Sequence, residues 1–143
     1  MKAKFLTMIM AFLILCGCAD NGMSEEDVVF QFIESSVVRG DFKNSLELST
    51  GINEDQLESI YREVTTEDRE TYLKVDIHLT SEDDYYLAYL PDYHMLIEIE
   101  LTSGNERKVN DVLAYHPEIE ELEKIWTNHN WGTRTIMLDE ESS

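Results

Sequence analysis

The chain has 143 residues, of which 30 are acidic and 11 basic, so its formal net charge is −19. A protein this acidic repels nucleic-acid phosphates and anionic lipid head groups, and we therefore expect no nucleic-acid partner. Its two cysteines, Cys16 and Cys18, both lie near the amino terminus. No disulfide can then cross-link the rest of the chain, and the fold must be held together by packing.

The first 17 residues have the layout of a secretory signal. Lys2 and Lys4 precede an apolar run, residues 5–15, that is interrupted only by Thr7. A helix needs about 20 apolar residues to cross a hydrocarbon core of about 30 Å, so this run is too short for a lasting span. The pattern predicts a segment that directs export and is then removed.

Leu15, Cys16, Gly17 and Cys18 resemble the lipobox of bacterial lipoproteins. In that family a diacylglycerol is attached to the cysteine thiol, and the peptidase cuts immediately before that cysteine. The resemblance implies lipidation of Cys18, with Gly17 as the small residue before the cut; Cys16 stands where alanine, serine, threonine or valine is more usual. It also implies a protein anchored at the extracytoplasmic face of the cell membrane, or in the outer membrane of a cell that has two.

Two alternatives remain for this segment. An ordinary signal peptidase could cut after Ala19, because Gly17 and Ala19 are small residues at the right spacing. The apolar run could also stay in place as a signal anchor. With lipidation, the predicted organisation is a signal peptide (residues 1–17), a lipidated tether (18–23), a single extracytoplasmic domain (24–138) and an acidic tail (139–143).

The first part of this domain has the pattern of helices. Ser24 is placed to begin a helix that Gly40 ends, Asp41 is placed to begin a second, and Asn53 with Gln56 to begin a third. The first helix has its apolar face at Val28, Val29, Phe32, Ile33 and Val37, and the third at Leu57, Ile60, Tyr61 and Val64.

From residue 73 the period of the apolar residues changes to two, which is typical of strands. Strands are predicted over residues 73–80, 85–90 and 95–102, and their short connections favour an antiparallel meander. Residues 108–115 suit either a helix or a fourth strand, and we assign them to a strand.

A late helix is predicted to begin at Pro117. Its apolar face comprises Ile119, Leu122, Ile125, Trp126 and His129. Trp126 and Trp131 are predicted to pack in the core and at the helix end. A last strand follows over residues 133–138.

The fold class is therefore α+β: N-terminal helices packed on an antiparallel sheet of about four strands, with one late helix and a final edge strand. The first helix, followed by Gly40, Asp41 and Phe42, resembles NTF2-like and cystatin-like lipoprotein domains over the first third of the mature chain. The helix from Pro117 departs from the strand-only ending of those domains.

Two Asp-x-His pairs are candidates for chemistry: Asp76 with His78, and Asp92 with His94. Residues two apart on a strand share a face, so Asp76 could orient His78. If the two pairs met, they could bind a transition metal or form a base with its orienting carboxylate. The alternative is ordinary solvation on a polar face and in a turn. The sequence contains no familiar nucleophile motif, phosphate loop, metalloprotease helix or EF-hand, and we expect no catalytic residue and no cofactor.

Four tyrosines lie close together at Tyr85, Tyr86, Tyr89 and Tyr93. Alternation sends Tyr85 and Tyr89 to one face of the sheet and Tyr86 to the other. One set is expected to pack against the helices. If Tyr85, Tyr89 and Tyr93 are exposed beside Pro91, they form an aromatic patch of the kind that binds proteins or glycans.

These features favour a membrane-anchored, non-catalytic module that binds another envelope protein. A second hypothesis is a pocket between helices and sheet for a small molecule or cation. A third is a hydrolase that uses Asp76 and His78. The structure should show an exposed aromatic patch in the first case, a closed apolar cavity in the second, and a cleft histidine with a perturbed pKa in the third.

Overall fold

A computed structural model describes residues 22–63, 74–83 and 85–138. The predicted signal peptide and lipobox with Cys18, the predicted acidic tail, and the apolar positions Val64 and Leu73 lie outside these residues. Within the described part of the chain, no helix has the length and apolar character needed to span a membrane. The elements in chain order are α1 (Glu25–Ile33) with a following π-helical turn (Glu34–Arg39), α2 (Phe42–Glu47), α3 (Glu54–Glu63), β1 (Lys74–Ser81), β2 (Tyr85–Leu90), a 3₁₀ turn (Pro91–Tyr93), β3 (Met95–Leu101), β4 (Val109–Tyr115), α4 (Ile119–Asn128) and β5 (Gly132–Met137).

The predicted starts of α1 and α3, and the predicted end of the first helical segment at Gly40, are confirmed by their caps. The Ser24 hydroxyl accepts a hydrogen bond from the Asp27 amide at 3.2 Å. Asn53 and Gln56 cap α3 reciprocally, since the side chain of each accepts from the backbone amide of the other at 2.9 and 3.0 Å. Gly40 ends the first helical segment in the left-handed conformation, with φ at 66°, which glycine adopts at little cost.

The five strands form one sheet in the order β4-β3-β2-β1-β5, and every neighbouring pair is antiparallel. β1 to β3 are the predicted meander, and residues 109–115 form a strand, as assigned, that continues it. β5 is the predicted final edge strand and pairs with β1. Because β4 and β5 lie at opposite edges, the chain between them, which contains α4, must cross the sheet. The α+β fold class is confirmed.

The main core lies between the sheet and α1 to α3. Alternate residues of β1, β2 and β3 supply the sheet side of this core, as the period-two pattern predicts. Its largest fully buried members are Val29, Phe32, Ile33, Val37, Leu57, Val75, Ile77, Leu90, Met95, Ile97 and Ile99. Apolar side chains therefore occupy the region where a ligand pocket was hypothesised.

Arg134 on the edge strand β5 interacts with three residues at the start of α1. Its guanidinium donates to Asp27 at 2.8 Å, lies 3.5 Å from Glu26, and sits 4.8 Å from the ring centre of Phe30. The hydrogen bond from Arg134 is the main reason that the pKa of Asp27 is lowered. The edge strand is thereby tied to the helical layer.

The opposite, outer face of the sheet faces α4. Leu87 and Leu96 are on this face and are buried. The helix predicted from Pro117 begins two residues later, at Ile119, because the N-cap residue Glu118 has extended backbone angles. No residue of α4 is fully buried. This loosely covered face carries the candidate site.

Candidate functional site

The strand register brings two rings together on the outer face. His78 on β1 and Tyr89 on β2 are directly opposite each other. Their rings are nearly parallel, with centroids 6.4 Å apart and an interplanar angle of 22°. Trp126 of α4 lies across both, nearly perpendicular, with centroids 5.1 Å from His78 and 6.1 Å from Tyr89. Two strands and a helix thus contribute to one cluster.

Trp131 completes this cluster from the segment between α4 and β5. Its indole stacks on Trp126 with centroids 4.9 Å apart and an angle of 13°. Its Nε1–H donates to the Trp126 carbonyl at 3.2 Å, which also satisfies an oxygen of the last helical turn. Trp126 keeps 39% of its surface exposed. We call His78, Tyr89, Trp126 and Trp131 the aromatic surface.

A histidine fixes the end of α4 beside the aromatic surface. The Nε2 of His129 lies 2.6 Å from Glu82 in the β1–β2 turn, and its Nδ1 lies 2.8 Å from the Ile125 carbonyl. A carbonyl and an ionised carboxylate can only accept, so both contacts are hydrogen bonds when His129 is protonated to the imidazolium ion. The Ile125 carbonyl first, and Glu82 second, raise the pKa of His129. A histidine held in this way has no free nitrogen to act as a base.

Two further histidines, His94 and His116, hold the segment that precedes α4. The Nε2–H of His94 donates to the Pro117 carbonyl at 3.2 Å, and its Nδ1 is hydrogen-bonded to the Tyr89 hydroxyl at 3.3 Å. His116 donates from Nδ1 to the His94 carbonyl at 2.8 Å. All four histidines of the chain therefore lie around α4 on the outer face and help to hold it there.

We expect the His129–Glu82 contact to stabilise the domain only while His129 is protonated. Because the folded-state pKa of His129 is raised, the contribution is complete below its ordinary value of about 6.5 and is lost as the pH rises through the folded-state value. The free energy of unfolding should therefore differ between the wild type and His129→Gln most below pH 6.5, and least at alkaline pH. Urea titrations at several pH values measure this difference. A difference that is constant from pH 6 to 9 would contradict the charged contact.

The two predicted Asp-x-His pairs do not meet in one metal site in the described part of the chain. The Asp76 carboxylate accepts a hydrogen bond from the Thr135 hydroxyl at 2.6 Å. The Nδ1 of His78 lies 2.7 Å from the Thr133 hydroxyl. Both side chains are thus engaged by β5, which pairs with β1 along this stretch. The predicted orientation of His78 by Asp76 is replaced by two contacts with threonines.

The second predicted pair lies in the turn before β3. Asp92 is exposed in the 3₁₀ turn, and His94 is engaged with Pro117 and Tyr89. Across residues 22–63, 74–83 and 85–138, no three His, Cys, Asp or Glu side chains are grouped so that they could hold a metal ion. These four residues are therefore not grouped as a metal site.

The tyrosines divide between the two faces. Tyr86 faces the helices, where its hydroxyl donates to Glu25 at 3.1 Å. Tyr93 packs against the main core on the same side, whereas Tyr85 and Tyr89 are on the outer face. The predicted patch of Tyr85, Tyr89 and Tyr93 is therefore not one surface. Tyr93 is separated from the other two because the 3₁₀ turn carries it to the helix side.

The tryptophans were the part of the site that the sequence interpretation assigned to packing. Trp126 does pack at the sheet, but it is also exposed and is stacked on Trp131. One signal was present in the sequence: Leu87 and Leu96 put apolar side chains on the strand face that should be polar. Such residues indicate that a second layer covers this face.

The clefts on the described residues are open and polar. One of about 860 Å³ lies between the start of α1 and the ends of the strands, and its lining includes Glu25, Tyr86 and Arg107. Glu25 and Arg107 already pair at 3.0 Å across this cleft. It differs from the closed apolar cavity that a small-molecule site was expected to have.

Comparisons of the chain with protein-family models, with curated proteins and with solved structures find no match. The chemistry of the outer face therefore carries the functional inference. Its distinctive feature is the exposed Trp126, which is stacked on Trp131 and accepts a hydrogen bond from the Trp131 indole at its carbonyl.

Proposed function

We propose that the protein is a bacterial lipoprotein, anchored through Cys18 at the extracytoplasmic face of the cell membrane, and that its domain binds another envelope protein without catalysis. The observation that carries the binding proposal is the exposure of Trp126 within the aromatic surface. The proposal of a lipid anchor rests on Leu15, Cys16, Gly17 and Cys18, which resemble a lipobox.

The aromatic surface has the properties of a binding hot spot. Tryptophan and tyrosine are enriched among the residues that dominate protein interfaces. Trp126 is held by Trp131 on one side and by His78 and Tyr89 on another. A side chain already fixed in this way loses little conformational freedom when a partner covers it, so more of the contact energy is available for affinity.

The anchor explains why a protein is the favoured partner. Residues 1–17 contain two of the basic residues and no acidic one, so the mature chain carries 9 basic and 30 acidic residues, a formal net charge of −21. The lipid holds this domain beside the bilayer, while its charge opposes adsorption to anionic head groups. A neighbouring envelope protein is then the macromolecule that the outer face can reach.

Palmitate labelling tests the anchor. We expect an alkyne analogue of palmitate to label the wild-type protein and the Cys16→Ala variant, but not the Cys18→Ala variant. Cys16→Ala is the matched control because it removes the other cysteine of the same segment. Labelling of Cys18→Ala, or no labelling of the wild type, would contradict lipidation at Cys18.

Recovery from native membranes tests the binding function. Full-length tagged protein is purified in a mild detergent and its companions are identified by mass spectrometry. One envelope protein in stoichiometric amount is expected. Recovery of the protein alone would contradict the binding proposal.

A further inference from the structure

A stripe of exposed residues on α4 extends the aromatic surface. Ile119, Glu123 and Trp126 are spaced i, i+4 and i+7, which places them along one side of a helix. Ile119 is 70% exposed and Trp126 39% exposed. The sheet-facing residues Leu122 and Ile125 are half-buried beside them. The stripe presents two apolar side chains with a carboxylate between them.

The charges on α4 and at its start are unbalanced. Glu118, Glu120, Glu121 and Glu123 are accompanied by one cation, Lys124. Ion pairs of the described residues join Arg39 to Glu34, Arg62 to Glu58, Arg107 to Glu25, Lys108 to Glu106, Arg134 to Glu26 and Asp27, and His129 to Glu82. Within residues 22–63, 74–83 and 85–138, no cation pairs with a carboxylate of α4. The domain therefore leaves negative charge beside its exposed apolar residues.

We infer that the partner presents a basic, partly apolar segment to this stripe, with a lysine or arginine against Trp126 and Glu123 and an apolar side chain against Ile119. This inference rests on the proposed function and names the chemistry of the partner. Tryptophan is the best aromatic acceptor for a cation, and the exposed 39% of Trp126 is the part that a cation of the partner can reach. The guanidinium or ammonium group can pair with a carboxylate at the same time.

The charge of the domain favours this partner over the others that an aromatic surface can accept. A formal charge of −21 on the mature chain attracts basic segments and speeds their encounter, whereas it repels acidic proteins and anionic lipids. A neutral glycan could stack on Trp126, but it would make no use of the unpaired carboxylate of Glu123. A cationic segment uses both the aromatic and the acidic component of the stripe.

The tryptophans provide a direct readout. Trp126 and Trp131 are the two tryptophans of the chain, so tryptophan fluorescence, excited selectively over that of tyrosine, reports on this surface alone. Full-length protein in a non-ionic detergent is titrated with a short peptide of arginine, valine and serine. Its counterpart with glutamate in place of arginine, and a neutral oligosaccharide, are titrated in parallel. Saturable binding is expected for the arginine peptide only, and it should weaken as salt is added.

Two charge-matched variants locate the cation. Glu123→Gln should weaken binding of the arginine peptide by roughly two- to fivefold, the effect of losing one exposed charge contact. Glu121→Gln removes the same charge from a position about 200° away around the helix and should leave the affinity unchanged. Equal losses in the two variants would overturn the inference, because attraction would then be diffuse. So would binding of the glutamate peptide or of the oligosaccharide in place of the arginine peptide.

This inference and the proposed function fail in different ways. If the envelope protein recovered from membranes binds Glu123→Gln and wild type equally well, the basic segment is wrong and the binding function stands. If no envelope protein is recovered, the binding function itself is wrong.

Discussion

Replacing Trp126 by alanine is expected to abolish recovery of the envelope partner while the domain stays folded. The change removes the exposed indole and one half of the Trp126–Trp131 stack. Truncation of a hot-spot tryptophan costs about 2–4 kcal/mol of binding free energy, which is a loss of roughly 30-fold to several-hundred-fold in affinity. Purification of the tagged variant from membranes, followed by quantitative mass spectrometry, measures the loss.

Met137→Ala is the matched control for Trp126→Ala. Met137 is also a large exposed apolar residue, with 62% of its surface exposed, but it lies at the far end of β5, opposite Lys74. We expect this variant to keep the partner. Thermal unfolding should show that both variants are folded, since no residue of α4 is fully buried. Retention of the partner by folded Trp126→Ala would remove the aromatic surface from the binding site.

The largest effect on stability is expected for Phe32→Ala. Phe32 is 1% exposed, on the face of α1 that contributes to the core shared with the sheet. Deleting a buried phenylalanine side chain costs about 3–5 kcal/mol, from lost transfer free energy and from the cavity that remains. A domain of this size is stable by only about 5–15 kcal/mol, so the variant should unfold at a much lower urea concentration.

Phe30→Ala is the comparison for Phe32→Ala. Phe30 is in the same helix but is half-buried and lies beside the Arg134 guanidinium. Its loss should cost about 1–2 kcal/mol, because less apolar surface is removed from the core. Equal and small effects of the two substitutions would contradict the packing of α1 on the sheet.

The parts of the fold that local patterns determine were predictable from sequence. The alternation of Val75, Ile77 and Leu79 identified β1 and its buried face, because successive side chains of a strand point to opposite sides. Ser24 and Asn53 identified helix starts, because their side chains satisfy amides that have no partner in the first turn. Each of these patterns is contained in a few consecutive residues, so it can be recognised without knowing how distant segments pack.

The candidate site was not predictable in the same way, because distant segments assemble it. The apolar pattern of α4 predicts that one side is covered, but it does not say which face of the sheet covers it. The pairing of β5 with β1 makes the chain cross the sheet, and α1 to α3 already cover one face. The crossing therefore runs over the outer face and brings Trp126 over His78 and Tyr89. The contacts of Asp76 and His78 were not predictable for the same reason. The threonines that engage them come from β5.

The central claim is that the outer face around α4 contacts another envelope protein in the cell. The most direct test places a photo-crosslinking amino acid at position 119 or at position 137 of the full-length protein in living cells. Ile119 and Met137 are both highly exposed, but only Ile119 belongs to the stripe with Trp126. Crosslinking to one envelope protein from position 119, and none from position 137, is the predicted result. No crosslink from position 119, or the same crosslinked protein from both positions, would contradict the claim.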